Sequence, residues 1–337
     1  MNIAFFDIEA WEKKVLVTEF SRDKLLFFSS GVTSAVAAKQ CSQVEVLSAF
    51  VHTPLSAKIL AHFPKLKMIA SRGTGFDHID LAYCQKREIM VCNVPTYGEN
   101  TVAEHAFALI LSLSHRIVES VERTRAGSFV YSGLRGFDLK GKTIGVVGGG
   151  NIGQHVVQIA RGFGMDVLVF DLKQDKLLAR KLGFRYAGME ELLRDADIVT
   201  LHVPYNKYTH HLMDRKKFGL MKRGAYLINT SRGAIVETDA LVHALKSHRL
   251  AGAGLDVLEE EDELNRDLSL AGKRGVRVEE LKVLLEDHAL LEMPNVLITP
   301  HNAFNTQEAL MRILNVTIEN IHAFERGKRV NVVEVKK

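Results

Sequence analysis

The 337-residue sequence predicts two α/β domains, each a parallel sheet covered by helices on both faces. Three observations carry that expectation. The chain is longer than one ordinary core fills, so about two domains are expected. Short β-rich runs alternate with longer helical patterns almost from end to end, which favours parallel strands joined by crossover helices. The alternation falls into two series, separated by a polar, glycine-rich connector at 133–142.

In the first series, strands are expected at 2–6, 25–28, 44–47, 67–70 and 89–94, with helices at 56–63 and 81–86 between them. A long apolar-rich helix is expected over 101–125; Glu99 and Glu104 make its beginning acidic, which suits the helix dipole. The second series opens with a strand at 143–147, a helix at 152–163 and a strand at 166–170. It continues with a helix at 175–182, a short strand near Arg185, a helix at 189–195 and a strand at 198–202. Strands follow at 225–229, 251–255 and 295–298, with a helix at 238–247, and a helix over 306–327 closes the chain. The charged stretch 262–293, helical in part at 278–285, reads equally as a surface insertion or as a flap.

Composition narrows the function classes. Apolar residues make up 47% and charged residues 25%, as in a soluble globular protein. The net charge of +4, from 44 basic and 40 acidic residues, is too small and too dispersed for a nucleic-acid surface. Cys41, Cys84 and Cys92 form no C-x-x-C pair and no His/Cys cluster, so idle thiols and no metal are expected. The first residues, MNIAFFDIEAW, lack the basic start and long apolar run of a signal peptide. The longest apolar stretch, 106–113, is too short to span a bilayer, so a cytoplasmic protein without a membrane partner is expected.

The strongest motif is Thr143-Ile-Gly-Val-Val-Gly-Gly-Gly-Asn-Ile-Gly153, a G-x-G-x-x-G at Gly148, Gly150 and Gly153. Alone the pattern is weak. Here it follows an apolar strand, opens a helix, and precedes a second strand ending in Asp171, 18 positions after the last glycine. Gly148 permits a tight turn, Gly150 lets backbone approach a pyrophosphate, and Gly153 packs helix on strand. The helix N-terminus then offers unpaired N–H groups to phosphate oxygens. Asp171 suits a ribose diol and repels a 2′-phosphate, and Leu172 rather than arginine follows it, so NAD is favoured over NADP. About 140 residues precede the motif, enough for a separate domain.

Three further segments place charge at strand ends, where ligands bind in open α/β sheets. They are Ile228-Asn-Thr-Ser-Arg-Gly233, the acidic run after Gly254-Leu-Asp-Val-Leu, and Leu297-Ile-Thr-Pro-His301. Oxidation of a 2-hydroxy acid needs a cation for the carboxylate, which arginine binds in bidentate fashion. It needs a base for the hydroxyl proton, and histidine serves near neutral pH. A carboxylate beside the histidine favours its protonated form. Arg232, His301 and one of Glu259–Glu261 could fill these roles. On residues alone, Arg232 reads as readily as a capping or surface arginine, His301 as a loop histidine, and the acidic run as a solvated turn.

At these residues the sequence resembles the D-isomer-specific 2-hydroxyacid dehydrogenases over nearly its whole length, most closely their lactate-type members. The resemblance implies two Rossmann-like doubly wound domains, the NAD domain (99–300) inserted in a catalytic domain made of 1–98 and 301–337. It assigns the catalytic arginine to Arg232, the glutamate to Glu261, five residues after Asp256, and the histidine to His301. It implies cofactor contacts from Asn151, Ile152, Val203, Pro204, Thr209, Thr230, Ser231, Arg232 and Asp256, besides Gly148, Gly150, Gly153 and Asp171. It also implies a homodimer formed through the NAD domain, using helices such as the one at 101–125.

The resemblance reaches the substrate at five residues, Arg232 and four others. Gly73-Thr-Gly-Phe-Asp77 matches a loop whose backbone N–H groups hold the carboxylate, implicating Thr74 and Gly75; a plain turn is the competing reading of Gly75. Tyr97 and Phe304 match aromatics of the lactate-type members, although each also reads as ordinary packing. The implied reaction is hydride transfer between NADH and a small 2-oxo acid, pyruvate first. Bulkier acids (2-oxoisocaproate, phenylpyruvate), hydroxypyruvate and glyoxylate are alternatives within the same chemistry. A non-catalytic NAD-sensing binding protein is the alternative of a different class. Thr74, where lactate-type members often carry an apolar residue, and the long stretch before His301 depart from the family pattern.

Overall fold

A computed structural model of the chain describes residues 1–33, 36, 39–51, 53–259 and 278–333. It forms two compact units, Met1–Tyr97 with Thr306–Lys337, and Gly98–Asn305. Residues 301–305, among them His301 and Phe304, belong to the second unit.

The first unit is a five-stranded sheet. Its strands are β1 (Asn2–Phe5), β2 (Lys24–Phe27), β3 (Val46–Ala49), β4 (Met68–Ser71) and β5 (Met90–Cys92), in the order β2-β1-β3-β4-β5. All neighbours are parallel. Side chains alternate across a strand, so both faces must be covered. Ile3, Phe5, Val46 and Met68 pack with Leu16 of helix Ala10–Glu19 and with Leu314, Ile318 and Ile321 of helix Gln307–Glu325. Ala4, Leu47, Ile69 and Val91 pack on the other face with Leu60 and Phe63. The last helix therefore returns to the first sheet because its apolar stripe has that face to bury.

One buried charge pair ties this unit together. The Arg72 side chain is fully buried just past β4, and its Nη1 donates to Glu12 Oε1 at 2.6 Å. Its Nη2 donates to the carbonyl oxygens of Phe6 and Asp7 beyond β1, and the guanidinium lies 4.5 Å from the Phe50 ring centroid. Losing either partner would strand the other's charge in the core. Burial lowers the Arg72 pKa, which Glu12 and Asp7 oppose.

The second unit is a seven-stranded sheet: β6 (Thr143–Val147), β7 (Asp166–Phe170), β8 (Arg185–Tyr186), β9 (Ile198–Leu201), β10 (Ala225–Asn229), β11 (Leu250–Leu255) and β12 (Val296–Ile298). Its order is β12-β11-β10-β9-β6-β7-β8, and every pair is parallel. The chain runs outward from β6 to β8, then crosses back to β9 and runs the other way. The carboxyl ends of β6 and β9 therefore flank a topological switch point, the place where such sheets bind ligands. Ile144, Val146 and Ile198 pack with Ala103, Phe107 and Ile110 of helix Glu99–Ser114 and with Val156 and Ala160 of helix Asn151–Gly162. Val147, Val199 and Leu227 pack on the opposite face with Leu193, Phe218 and Leu241.

The long helix expected over 101–125 is two helices, Glu99–Ser114 and Ile117–Arg125, broken at Arg116 with φ 52°. The cause lies in the connector. The Phe137 amide donates to the Ser114 carbonyl at 2.9 Å, capturing an acceptor that ends the first helix. A Cβ on Gly136 would stand 2.0 Å from that oxygen, so the connector crosses here as glycine. Helix Val278–Leu291 continues past the expected end at 285.

Cys41, Cys84 and Cys92 are free and buried, and burial pushes each thiol up to about 11. Among the described residues no helix is long and apolar enough to cross a membrane.

Candidate active site

In the second unit the expected site residues gather at the carboxyl ends of the strands. Gly148 follows β6 with φ +104°, and a Cβ there would lie 2.4 Å from the His202 carbonyl oxygen beyond β9. A Cβ on Gly153 would lie 2.0 Å from the Gly148 carbonyl oxygen, so the helix seats against the loop only through hydrogen. Gly150 caps helix Asn151–Gly162, and no protein atom stands within 4 Å of where its Cβ would be. Two glycines are thus required by the protein's own packing, while the third leaves an open approach to the helix N-terminus.

Asp171 stands one residue past β7. Its Oδ2 accepts from the Gly149 amide at 2.7 Å and its Oδ1 from the Lys173 amide at 2.8 Å. The carboxylate is thereby fixed beside the glycine loop. Asn151 Nδ2 donates to Glu99 Oε1 at 3.3 Å, and Ile152 packs on the core. Val203 and Pro204 follow β9. Thr209 closes their loop, its hydroxyl donating to the Pro204 carbonyl at 2.7 Å and accepting from the Asn206 amide at 2.8 Å.

Adjacent strands β10, β11 and β12 carry the remaining groups. After β10, Ser231 Oγ donates to the Leu201 carbonyl at 2.7 Å, joining this turn to β9. Thr230 Oγ1 is buried and has no hydrogen-bond partner among the described residues. Arg232 Nη1 donates to the Ser231 carbonyl at 2.8 Å, and Asn229 Nδ2 donates to the Arg232 carbonyl at 2.9 Å. A Cβ on Gly233 would stand 1.9 Å from the Leu258 carbonyl oxygen, so glycine lets the Arg232 turn abut the segment after β11.

Asp256 follows β11 and is 1% exposed. Its Oδ1 accepts from Thr299 Oγ1 at 2.5 Å and from the Asn302 amide at 3.0 Å, and its Oδ2 accepts from the Ala303 amide at 2.8 Å. Burial works to raise its pKa, but bonds from His105, Thr299, Ala303 and Asn302 outweigh burial and hold it below the usual carboxylate range. Between those anchors His301, after β12, takes φ 48°. A left-handed non-glycine residue costs about 1–3 kcal/mol, which the bonds to Asp256 offset. Phe304 is half-buried on the same segment.

In the first unit, the loop after β4 is pinned to the β5 side. Thr74 Oγ1 donates to the Val94 carbonyl at 2.8 Å, and Asn93 Nδ2 donates to the Thr74 carbonyl at 2.7 Å. Thr74 is exposed, Gly75 half-buried, and the Tyr97 carbonyl accepts from Arg312 Nε. Glu261 lies outside the described residues. Glu259, from the same acidic run, is occupied: its Oε1 bonds His211 Nε2 at 2.6 Å and its Oε2 accepts from Thr238 Oγ1 at 2.7 Å.

Sequence reasoning passed over His105, His202 and His211. His105 comes from a helix and His211 from a loop, places a strand-end pattern does not mark; His202 directly follows β9, where the pattern marks only Val203 and Pro204. His202 Nε2 bonds Thr200 Oγ1 at 2.8 Å, its Nδ1 is buried without a partner among the described residues, and burial pushes its pKa down to about 3. It is a neutral wall residue behind the glycine loop.

A nucleotide loop at a switch point, an acid at the end of β7, and a cation and an imidazole at the ends of β10 and β12, one strand apart, define a dinucleotide-dependent oxidoreductase. The chain belongs to the D-isomer-specific 2-hydroxyacid dehydrogenases: the NAD-binding domain of that family matches residues 107–303. The chain is 35% identical to D-lactate dehydrogenase of Escherichia coli over 334 residues, 97% of this chain and 98% of that protein. It is 36% identical to glyoxylate reductase of Thermococcus litoralis over 300 residues, 87% of this chain and 84% of that protein. The crystal structure of D-lactate dehydrogenase from Aquifex aeolicus, complexed with NAD and lactic acid, superposes with TM-score 0.87 at 36% identity, covering 97% of this chain and 96% of that one. The protein is an NAD-dependent oxidoreductase acting on the CH–OH group of D-2-hydroxy acids. The residues present fit NAD: the open face at Gly150, the fixed Asp171 carboxylate and the unpartnered Thr230 hydroxyl are what a dinucleotide would engage.

Proposed function

We propose that the protein reduces pyruvate to D-lactate. The observation that carries this reading is the succession of Arg232, Asp256 and His301 at the carboxyl ends of three neighbouring parallel strands. Arg232 holds the carboxylate of the oxo acid and orients C2. NADH supplies the hydride to C2. His301 donates its proton to the C2 oxygen, so that carbonyl and proton become the hydroxyl; in the reverse direction it takes that proton back. By family resemblance Glu261 is the carboxylate of the catalytic set, and the resemblance adds the backbone at Thr74 and Gly75 to the groups that hold the substrate carboxylate. Asn151, Ile152, Val203, Pro204, Thr209, Thr230 and Ser231 line the cofactor's path, and residues 99–300 act as the NAD domain.

The choice of acid rests on Tyr97 and Phe304, aromatic positions that favour a methyl-bearing substrate over glyoxylate or hydroxypyruvate. One carbon is worth only about 1–3 kcal/mol of discrimination. The expected order of kcat/KM with NADH is therefore pyruvate first, with glyoxylate, one carbon smaller, lower by roughly 10–200-fold and 2-oxoisocaproate, three carbons larger, also lower. Absorbance loss with a panel of 2-oxo acids measures this, and a larger acid turned over faster than pyruvate would move the substrate. Reduced, buried thiols fit a reducing compartment such as the cytoplasm.

A homodimer through the second unit is part of the same proposal. Helix Ile117–Arg125 buries none of its residues within the chain, yet it carries Ile117, Val118 and Val121. Phe129 and Tyr131, just beyond it, are 86% and 87% exposed. Such a patch asks for a partner of like shape. Sedimentation should give twice the chain mass, and Val121→Asp should give single chains; a parent sedimenting as single chains would refute the dimer.

A further inference from the structure

His105 lies on helix Glu99–Ser114, far in sequence from the segments that carry Arg232 and His301. Its Nε2 stands 3.0 Å from Thr299 Oγ1 and 3.3 Å from Asp256 Oδ1. Thr299 spends its one proton on Asp256, at 2.5 Å, so toward His105 its oxygen accepts. An ionised Asp256 also only accepts. Nε2 must then carry hydrogen, and both contacts are donations from His105.

Asp256 in turn receives the amides of Asn302 and Ala303, the two residues that follow His301. The left-handed turn at His301 is thus closed from one side by its own strand, through the His301 amide on the Thr299 carbonyl at 2.9 Å. From the other side it is closed by a carboxylate whose orientation depends on helix Glu99–Ser114. His105 is the side chain of that helix that bonds both Thr299 and Asp256. Without it, the Thr299 hydroxyl loses its incoming donor, and Asp256 keeps only bonds from the segment it is supposed to hold. Their backbones would stay anchored, the Thr299 amide on the Leu255 carbonyl and the Asp256 amide on the Asn229 carbonyl, both at 2.9 Å, but among the described residues the two side chains would bond only each other and the His301 turn.

We propose that His105 is a positioning residue: acting through Thr299 and Asp256, it holds the turn that aims His301 at the substrate. The inference rests on the proposed role of His301, and its test separates the two. An imidazole displaced by about 1 Å loses roughly 100-fold in rate. His105→Leu is therefore expected to lower kcat with pyruvate at saturating NADH by about 10–100-fold. His105→Gln, whose amide offers a donor in place of Nε2–H, restores most of the rate. Thr299→Val, a second variant, lowers kcat in the same direction.

The His301 ring resonance, assigned by its disappearance in His301→Asn, reads position without turnover. It is expected to shift in His105→Leu and to return toward the parent in His105→Gln. A His105→Leu protein of lower melting temperature, with parental kcat and an unshifted His301 resonance, would overturn the proposal and leave His105 a structural residue only. If the parent reduces no 2-oxo acid, the role of His301 fails, and an unshifted His301 resonance would still sink the positioning claim independently.

Discussion

His301→Ala is expected to lower kcat by about 10²–10⁴-fold, the usual contribution of a positioned acid or base. Hydride arriving at C2 places negative charge on the C2 oxygen, which does not persist as a bare alkoxide at neutral pH, so its proton must come from a group within hydrogen-bond reach. Among the described residues at the ends of β10, β11 and β12, the candidates are few. Asp256 is turned into the protein and accepts from Thr299, Asn302 and Ala303. Arg232 is committed to the substrate carboxylate. Glu259 is engaged by His211 and Thr238. The alanine variant keeps Asp171, the glycine loop and the Thr230 turn, so fluorescence titration should find NADH binding intact. Unchanged turnover would remove His301 from the mechanism.

Gly153→Val is expected to abolish NADH binding at concentrations that saturate the parent. The first carbon of the new side chain would sit 2.0 Å from the Gly148 carbonyl oxygen and 3.1 Å from its carbon, both backbone. Neither can turn aside as a flexible side chain would, so helix Asn151–Gly162 must lift from β6. That motion withdraws the helix N-terminus from the phosphates and adds overpacking of about 1–3 kcal/mol. Gly162 is the matched control. It lies at the other end of the same helix with open space around its Cβ position, so Gly162→Ala should leave binding unaffected. Calorimetric titration of both variants decides the point; parental affinity in Gly153→Val would show that the helix–loop contact does not set the cofactor site.

The parts of the site legible in the sequence are those in which one local pattern contains the whole cause. The glycine loop needs a strand, a turn and a helix in succession, and residues 143–171 hold all three together with the acid. Arg232 and His301 stood out because each follows an apolar strand by a few residues. The parts that were not legible depend on contacts between distant segments. The break at Arg116 is made by Phe137, 23 residues from Ser114, and nothing in the apolar run 101–114 announces it. Asp256 reads as one more acid before an acidic run, yet its two oxygens organise the turn of His301. His105 sits in an apolar helix with no pattern to mark it, and its partner Thr299 is 194 positions away. Arg72 and Glu12 are 60 positions apart and look like surface charges until the fold buries them together.

The most direct test of the account is the reduction of NAD by purified protein given D-lactate or L-lactate in separate reactions. NADH should form with the D isomer, pyruvate should accumulate mole for mole, and the L isomer should give no rate above background. Turnover of L-lactate, or of neither isomer while NADH still binds, would contradict it.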